Sequence, residues 1–382
     1  MTKHFDVIIL GAGPAGTACA MALENKGLKV ALIDKATFPR DKICGDAIPG
    51  QAFKALKLIN PKWELQLREQ CEQTQVISSR FYISKTKSFN YKWVSYACNS
   101  KRIDFDNFLF NIVKEQTNTE IFQNNHVIKL TKTQDNINCI LENDFELTST
   151  FIVGCDGNRS IVKRSFLEQQ TVKKKVYSAA RAYYKGISGG IAGENEFHLV
   201  NKVDGYFWIF PLPNDYYNIG FGIVTDKTKR NKPVKNIRKV LAQVIESDRF
   251  KARFEDAKLV GKINGFGLPI WTNYHRISGE RFILAGDAAS LVDPLQGHGI
   301  DKAIWSGMIA ANQIQRCFKH GNFEANFMLD YEKDINQKFG FELQRSYYLM
   351  KFLSKYPIVL KLLFYLPVAQ GLINWLVKKL KI

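Results

Sequence analysis

Residues 6–16 read Asp-Val-Ile-Ile-Leu-Gly-Ala-Gly-Pro-Ala-Gly, an apolar run that leads directly into a G-x-G-x-x-G loop. The β-branched residues of the run predict a buried strand, and the small residues that follow at helical spacing predict a helix. Gly11 would allow the tight turn, Gly13 would let a pyrophosphate approach the backbone, and Gly16 would let helix and strand pack closely. The helix, opened by Pro14 and Ala15, would point its free N–H groups at the phosphates. The segment therefore predicts a dinucleotide-binding unit.

A second apolar segment, residues 29–33, ends in Asp34 and is followed by Lys35. An acidic residue about 20 positions after such a glycine loop is expected to accept hydrogen bonds from a ribose hydroxyl. The strand before the loop, the helix after it and the acid in register together predict that Asp34 and Lys35 complete the cofactor site. These residues alone leave NAD and FAD as alternatives.

The composition indicates an ordinary globular protein of more than one domain. The chain has 382 residues, 46% of them hydrophobic and 24% charged, and a single core rarely grows to that size. Seven cysteines without a C-x-x-C pair predict reduced thiols, an intracellular compartment and no zinc site. The first predicted strand begins almost at the N-terminus, so we expect no signal peptide and a cytoplasmic protein.

The formal net charge of +18 makes nucleic acid, an anionic membrane surface and an acidic cofactor candidate partners. The basic residues are spread, with local clusters at 173–175, 227–239 and 378–381. No nucleic-acid-binding signature accompanies them, so we expect no nucleic-acid partner. The first two clusters are interpreted as solvated surface.

Two further segments resemble motifs of flavoprotein hydroxylase-type proteins. Residues 154–162 begin Gly-Cys-Asp-Gly and resemble G-[AC]-D-G-x-x-S-x-[VL], while residues 281–289 resemble the second FAD motif and lead into residues 294–300. The resemblance implies FAD as the cofactor. It also implies cofactor-binding roles for residues spread over the chain, namely Arg102, Val127, Asp156, Gly157, Gly286, Asp287, Pro294, Gly297, Gly299 and Ile300.

The residues of the second motif support that implication. Residues 282–285 predict a buried strand, and Asp287 follows at its C-terminal end, where open α/β sheets bind ligands. Its carboxylate could accept hydrogen bonds from ribitol hydroxyls, or it could simply cap a helix. The predicted helix from Ile300 to Cys317 would direct its positive end toward the flavin, which favours an anionic reduced form.

Residues 205–222 predict two paired strands that carry a face of aromatic side chains. Alternation places Tyr206, Trp208 and Phe210 on one face, and Gly220 and Gly222 of the second strand are expected to leave space for a bulky group. From the pattern alone, the aromatic face is equally consistent with a core and with a pocket.

The same segment resembles the Y-x-W-x-F-P signature of geranylgeranyl reductases, which includes Pro211, and Lys42-x-Cys44-Gly45 resembles their K-x-C-G-G segment. The resemblance implies a lipid-shaped cavity beside the flavin and the saturation of isoprenoid double bonds. It implies cofactor contacts for Lys42, Cys44 and Gly45 and substrate contacts for Tyr206, Trp208, Phe210, Pro211, Gly220 and Gly222. NAD(P)H is the electron donor expected for such an enzyme, although the chain holds no second dinucleotide fingerprint.

The chain departs from the geranylgeranyl reductase pattern at two positions. Asp46 stands where that family usually has glycine, and His298 stands where it usually has glutamate. Cys44 and His298 are candidate proton donors, although an ordinary thiol is a weak acid and His298 could instead cap the following helix. The alternative enzyme is a flavin monooxygenase that acts on an aromatic or lipid ring. A halogenase would be expected to carry G-x-W-x-W-x-I-P, with a second tryptophan.

The expected fold is α/β: a discontinuous Rossmann-type FAD-binding domain, an inserted mixed β-sheet substrate domain and C-terminal helices. The predicted boundaries are 1–75, 99–164 and 273–321 for the FAD-binding domain, 76–98 and 165–272 for the substrate domain, and 322–382 for the helical region. In the tail, Leu372, Trp375, Leu376 and Leu380 share a helical face beside three lysines. Such a helix predicts peripheral binding to an anionic membrane surface, with packing over the substrate domain as the alternative.

Overall fold

The computed structural model describes residues 3–142, 144–167, 176–200, 205–225 and 236–356. The strands in chain order are β1 (Lys3–Leu10), β2 (Val30–Ile33), β3 (Ala47–Ile48), β4 (Thr74–Gln75), β5 (Ser78–Tyr82), β6 (Ser88–Lys92), β7 (Cys98–Asn99), β8 (Glu120–Phe122), β9 (Val127–Lys132), β10 (Ile137–Leu141), β11 (Glu146–Gly154), β12 (Val176–Lys185), β13 (Glu194–Leu199), β14 (Gly205–Leu212), β15 (Tyr216–Thr225), β16 (Lys258–Pro269), β17 (Ser278–Gly279) and β18 (Phe282–Leu284). The α-helices are α1 (Pro14–Leu23), α2 (Gly50–Ile59), α3 (Pro61–Gln70), α4 (Arg102–Gln116), α5 (Ile161–Phe166), α6 (Ile237–Ile245), α7 (Ile300–His320), α8 (Leu329–Ile335) and α9 (Phe341–Lys355). A π-helical turn, Asn336–Gly340, joins α8 to α9.

The first sheet has the strand order β17-β18-β11-β1-β2-β8, and β9 and β10 extend from β11. Strands β18, β11, β1, β2 and β8 are parallel. Every side chain of β2 is buried, as expected for a parallel strand covered on both faces. Helix α1 packs closely against α7, since a Cβ added at Gly307 would lie 2.1 Å from the carbonyl oxygen of Ala15.

The second sheet has seven strands in the order β16-β12-β15-β14-β13-β5-β6. Its pairs are antiparallel except β13 with β5. Helix α6 covers one face, where Phe207 and Ile209 belong to the same core as Leu241. The opposite face carries Trp208 and Phe210 and turns toward the loop that follows β2.

The sequence pattern predicts one helix over residues 52–70 and separate strands over 145–147 and 150–153, and the structure differs in all three. The single helix expected over residues 52–70 is two helices, because Pro61 cannot continue the hydrogen-bond ladder and Asn60 caps the second helix through Lys62 N–H. The separate strands expected at 145–147 and 150–153 are one strand, β11, which pairs with β1 over most of its length.

The predicted amphipathic tail helix lies outside the described residues. Within the described part of the chain, no helix is both long and apolar enough to cross a membrane.

Candidate functional site

The glycine loop contains two glycines that pack against the protein and one that does not. A Cβ added at Gly11, whose φ is +99°, would lie 2.4 Å from the carbonyl oxygen of Cys155. One added at Gly16 would lie 1.8 Å from the carbonyl oxygen of Gly11. At Gly13 the added atom would meet only the Arg40 guanidinium, at 3.5 Å. The room over Gly13 and the start of α1 therefore fits a phosphate group that accepts N–H hydrogen bonds.

Asp34 lies at the end of β2 and is held in place by backbone donors. Its Oδ2 accepts a hydrogen bond from Ala12 N–H at 2.7 Å, and its Oδ1 accepts one from Ala36 N–H at 2.8 Å. A carboxylate has about four acceptor positions, so the geometry remains compatible with a bound ribose hydroxyl. Lys35 is exposed beside it, and Val127 is buried at the start of β9.

Asp156 and Gly157 form the turn after β11, directly beside the glycine loop. Asp156 Oδ2 accepts from Ile161 N–H at 2.6 Å and so fixes the start of α5. Its Oδ1 is buried and has no hydrogen-bond partner among the described residues. Burial is the main cause that raises the pKa of this carboxyl. Gly157 adopts the left-handed conformation, with φ +75°.

Asp287 follows β18 and pairs with Lys42 across the chain. The two charged atoms, Lys42 Nζ and Asp287 Oδ2, are 2.9 Å apart. Burial alone would raise the pKa of Asp287, but the Lys42 ammonium outweighs it and holds the pKa below its ordinary value. Gly286, at φ +59°, allows the chain to turn at this point. An ionised Asp287 is chemically able to accept hydrogen bonds from ribitol hydroxyls, and that contact stays a prediction.

Arg102 opens α4 and forms a buried charge cluster that the sequence had not indicated. Its Nε and Nη2 donate to the two carboxylate oxygens of Asp106 at 2.7 and 2.6 Å. Arg40 adds a third hydrogen bond to Asp106, at 2.7 Å. Burial favours the neutral forms of Arg102 and Asp106, but their attraction raises the pKa of Arg102 and lowers that of Asp106. The spacing of four residues from Arg102 to Asp106 is a signal that could have found the pair.

Cys44 and Asp46 form a hydrogen-bonded hub with Asn218 of β15. Asn218 Nδ2 donates to the carbonyl oxygen of Cys44 at 2.9 Å and to Asp46 Oδ2 at 2.8 Å. Asn218 Oδ1 accepts from the Trp208 indole N–H at 2.9 Å, and Tyr183 donates to Asp46 Oδ2 at 2.6 Å. This hub attaches the loop after β2 to the second sheet. Asp46 was a departure from the family pattern, and Asn218 stands beside that pattern as Asn218-x-Gly220-x-Gly222, but neither the hydrogen bonds of Asn218 nor the role of Tyr183 was predicted.

The aromatic face lies directly against this loop. A Cβ added at Gly45 would be 3.5 Å from the Phe210 ring and 3.8 Å from the Trp208 ring. Trp208 and Phe210 are 4% and 5% exposed, so both are buried, whereas Tyr206 is half-buried and donates to the carbonyl oxygen of Gln296. The carbonyl oxygen of the buried Pro211 accepts from Asn99.

The bulky group in the space beside Gly220 is a side chain of the neighbouring strand β14. A Cβ added at Gly220 would lie 1.9 Å from the indole of Trp208, so the missing side chain makes room for this residue. Gly222 pairs with Ala179 and Tyr206 in the sheet, and a Cβ added at Gly205 would lie 2.2 Å from its carbonyl oxygen. Gly220 and Gly205 therefore serve close packing within the sheet.

His298 lies in the loop before α7, between two polar side chains. Its Nδ1 is 3.0 Å from Asp301 Oδ1, and its Nε2 is 2.8 Å from Gln296 Oε1. The N-cap residue of α7 is Gly299, and no side chain accepts a hydrogen bond from the first N–H groups of the helix. His298 therefore does not cap α7. Both ring nitrogens are engaged, which also leaves no ring nitrogen free for a substrate in this arrangement.

The remaining predicted residues of this loop, Pro294, Gly297 and Ile300, form its bend and the first turn of α7. Pro294 and Ile300 are buried, and Gly297 adopts φ +73° and donates its N–H to the carbonyl oxygen of Asp293. The described structure thus brings the glycine loop, Asp287, Lys42, Cys44, Arg102 and the aromatic face into one region.

The chain is similar to known proteins over most of its length. Residues 4–332 match the family described as FAD binding domain. A digeranylgeranylglycerophospholipid reductase of Methanoculleus marisnigri is 26% identical over 362 residues, which cover 91% of this chain and 86% of that protein. A menaquinone reductase of Mycobacterium tuberculosis is 27% identical over 319 residues, which cover 81% of this chain and 76% of that protein.

Solved structures show the same fold. A geranylgeranyl bacteriochlorophyll reductase-like protein of Thermoplasma acidophilum superposes with a TM-score of 0.81 at 19% identity, over 100% of this chain and 92% of that one. A flavin-dependent brominase superposes with a TM-score of 0.77 at 21% identity, over 98% and 93%. The predicted FAD-binding α/β fold and the predicted resemblance to geranylgeranyl reductases are thereby confirmed.

Proposed function

The chain belongs to the FAD binding domain family, and from that premise we propose that it saturates carbon–carbon double bonds of a long polyprenyl lipid. The observation that carries the proposal is the contact between the Lys42–Asp46 loop and the aromatic face of β14. The loop also supplies Lys42 to Asp287 at the cofactor site. An apolar chain lying along this face would therefore be close to the flavin.

The residues that would hold FAD fit its chemical groups. The first turn of α1 with Gly13 suits the pyrophosphate, Asp34 suits a ribose, and Asp287 suits the ribitol hydroxyls. When bound and reduced, FAD supplies a hydride. Trp208 and Phe210 exclude water but are almost fully buried, so a polyprenyl chain would have to displace their present neighbours, and each Å² of apolar surface then buried would contribute about 25 cal/mol.

Cys44 is the proposed proton donor to the alkene carbon that does not receive the hydride. Burial raises the pKa of its thiol, so Cys44 holds its proton at neutral pH. The Arg102 guanidinium acts in the opposite direction and would stabilise the thiolate left after donation. NAD(P)H is the proposed electron donor, bound only transiently, and the cytoplasmic face of a membrane is the proposed place of action.

Reductases of digeranylgeranylglycerophospholipid and of menaquinone both align with most of this chain. These relatives support a polyprenyl chain as the reacting part of the substrate. Because the two names differ in the head group, they do not specify the head group of the substrate. Structural likeness to a halogenase shows the fold alone. The aromatic face favours area burial over the hydrogen bonds that would orient a phenol, apart from the Tyr206 hydroxyl, which already donates to Gln296.

The test is anaerobic reoxidation of the reduced enzyme by its substrate. FAD-loaded protein is reduced with dithionite and mixed, without oxygen, with unsaturated archaeal ether lipid, menaquinone or a saturated control lipid. Recovery of the visible flavin absorbance with an unsaturated lipid, together with a product that has gained two hydrogens per bond, would support the proposal. Oxygen consumption with a hydroxylated product, and no reoxidation without oxygen, would instead support the monooxygenase.

A further inference from the structure

Asp46 is a buried carboxyl in a backbone conformation that usually belongs to glycine. It is 0% exposed and its φ is +64°. Aspartate is one of the few residues besides glycine that visit this left-handed region. The chain therefore places an acid in the loop at the cost of backbone strain and burial, where a glycine would fit without either.

The two oxygens of this carboxyl have different surroundings. Oδ2 accepts hydrogen bonds from Tyr183 at 2.6 Å and from Asn218 at 2.8 Å. Oδ1 is buried and has no hydrogen-bond partner among the described residues. A proton on the carboxyl therefore belongs on Oδ1, since Oδ2 is already an acceptor of two hydrogen bonds.

The charges around Asp46 decide when it carries that proton. Burial raises its pKa to about 6, and this effect outweighs Arg181, Tyr183, Asn218 and Arg102, which all favour the ionised form. Arg181 and Tyr183 come from β12, Asn218 from β15 and Arg102 from α4. The carboxyl can thus gain and lose a proton near neutral pH.

Cys44 lies two residues before Asp46, and the Asn218 amide donates both to the Cys44 carbonyl oxygen and to Asp46 Oδ2. Burial is the main cause that raises the pKa of the Cys44 thiol; the Asp46 charge raises it further, while the Asp46 backbone N–H acts to lower it. The thiol pKa lies above its ordinary value, which is near 9, while that of the carboxyl is about 6. A proton on Asp46 therefore moves downhill to a Cys44 thiolate.

We propose that Asp46 returns a proton to Cys44 in each round of alkene reduction, an inference that rests on the proposed function. One alkene carbon receives the hydride with its electron pair from the reduced cofactor. The S–H bond of Cys44 breaks, its proton goes to the other carbon, and a thiolate remains. The O–H bond at Asp46 Oδ1 then breaks to restore the thiol, and the carboxylate takes a proton from water. Asp46 is a positioning residue in this scheme, because it acts through Cys44.

The first test needs no substrate. Alkylation of Cys44 by iodoacetamide is measured by peptide mass spectrometry over a pH series, in the wild type and in Asp46→Asn. Above the carboxyl's pKa of about 6, the variant lacks the negative charge, so its Cys44 should react several-fold faster. Below that pH the two rates should converge, because Asp46 is then neutral in the wild type.

The control for this test is Asp41→Asn, which removes a half-exposed carboxylate from the same loop. The ratio of the Cys44 alkylation rate in this variant to the rate in the wild type should not change with pH. If Asp46→Asn fails to fold, Asp46→Gly replaces it, since glycine accepts the left-handed backbone. If the Asp46 variant and the wild type show equal Cys44 alkylation rates over the whole pH range, the inference is overturned.

The second test uses lipid reduction and a double variant. Asp46→Asn with its full FAD content should reduce lipid about tenfold more slowly or worse, and Asp46→Asn with Cys44→Ala should be no slower than Cys44→Ala alone. Multiplying effects would show that Asp46 does not act through Cys44 and would refute the inference. A wild type that reduces no unsaturated lipid would refute the proposed function, while the alkylation ratio still judges the coupling between Asp46 and Cys44.

Discussion

The substitution Gly13→Val should weaken the binding of FAD without changing the stability of the fold. Gly13 precedes α1 with φ −74° and ψ −175°, an extended conformation that valine adopts readily. Its added Cβ would meet only the flexible Arg40 side chain, at 3.5 Å. We therefore expect the free energy of unfolding of the FAD-free protein to change by no more than about 0.5 kcal/mol.

This substitution should weaken the binding of FAD. The valine methyl groups would fill the room over the start of α1, so that phosphate oxygens could no longer reach the backbone N–H groups. A hydrogen bond to a charged group contributes about 1.5–3 kcal/mol. The loss of two such bonds would cost roughly 3–6 kcal/mol, or about 10²- to 10⁴-fold in affinity.

The assay compares flavin content after purification, FAD titration by fluorescence, and urea unfolding of the FAD-free protein. Gly16→Ala is the opposite control, because its Cβ would lie 1.8 Å from a backbone oxygen and should destabilise the fold itself. A Gly13→Val protein that keeps full flavin would refute the placement of the pyrophosphate. Loss of stability in its FAD-free form would refute the claim that this position is open.

Gly220→Ala should lower the free energy of unfolding by about 1–3 kcal/mol and change the near-ultraviolet circular dichroism, because its Cβ would overlap the Trp208 indole; unchanged urea unfolding would contradict the packing. The pKa of buried Asp106 is lowered by Arg102 and Arg40, and that of buried Glu196 in β13 by its hydrogen bonds with His198 and Arg253; both outweigh burial, which acts to raise the pKa. Their stabilisation is present above the ordinary carboxyl pKa of about 4 and should be lost as the pH falls further; unfolding that is independent of pH there would contradict it. Removal of residues 368–382 should weaken binding to anionic vesicles, most clearly at low salt; equal binding by the truncated protein would favour a packed tail instead.

The elements that the sequence predicted best depend on neighbouring residues. The glycine loop is a local arrangement, and the roles of Gly11 and Gly16 follow from a turn and a helix crossing within a few residues. Strands β14 and β15 are joined by a short turn, so their alternation placed Trp208 and Phe210 on one face correctly. The break at Pro61 was also a local signal, and the apolar pattern on either side of it was given too much weight.

The features that the sequence missed depend on contacts between distant parts of the chain. Asn218 and Asp46 are separated by 172 positions, and Lys42 and Asp287 by 245. No periodicity links such pairs, so an isolated Asn in a strand carried no signal. The occupant of the space beside Gly220 was not predicted for the same reason, since only the packed sheet shows that it is the Trp208 ring. The departure from a family pattern at Asp46 was one sequence signal for the hub.

The charges of the site help to explain how an apolar substrate could be bound by such a basic protein. The cations of this region are paired with carboxylates: Arg102 and Arg40 with Asp106, Lys42 with Asp287, and Arg181 with Asp41. The excess of +18 is therefore carried mainly by the rest of the chain. Surface cations attract an anionic membrane over about one Debye length, whereas Trp208 and Phe210 act only on contact. Salt should accordingly weaken the encounter with a lipid surface much more than it weakens retention of the polyprenyl chain against the aromatic face.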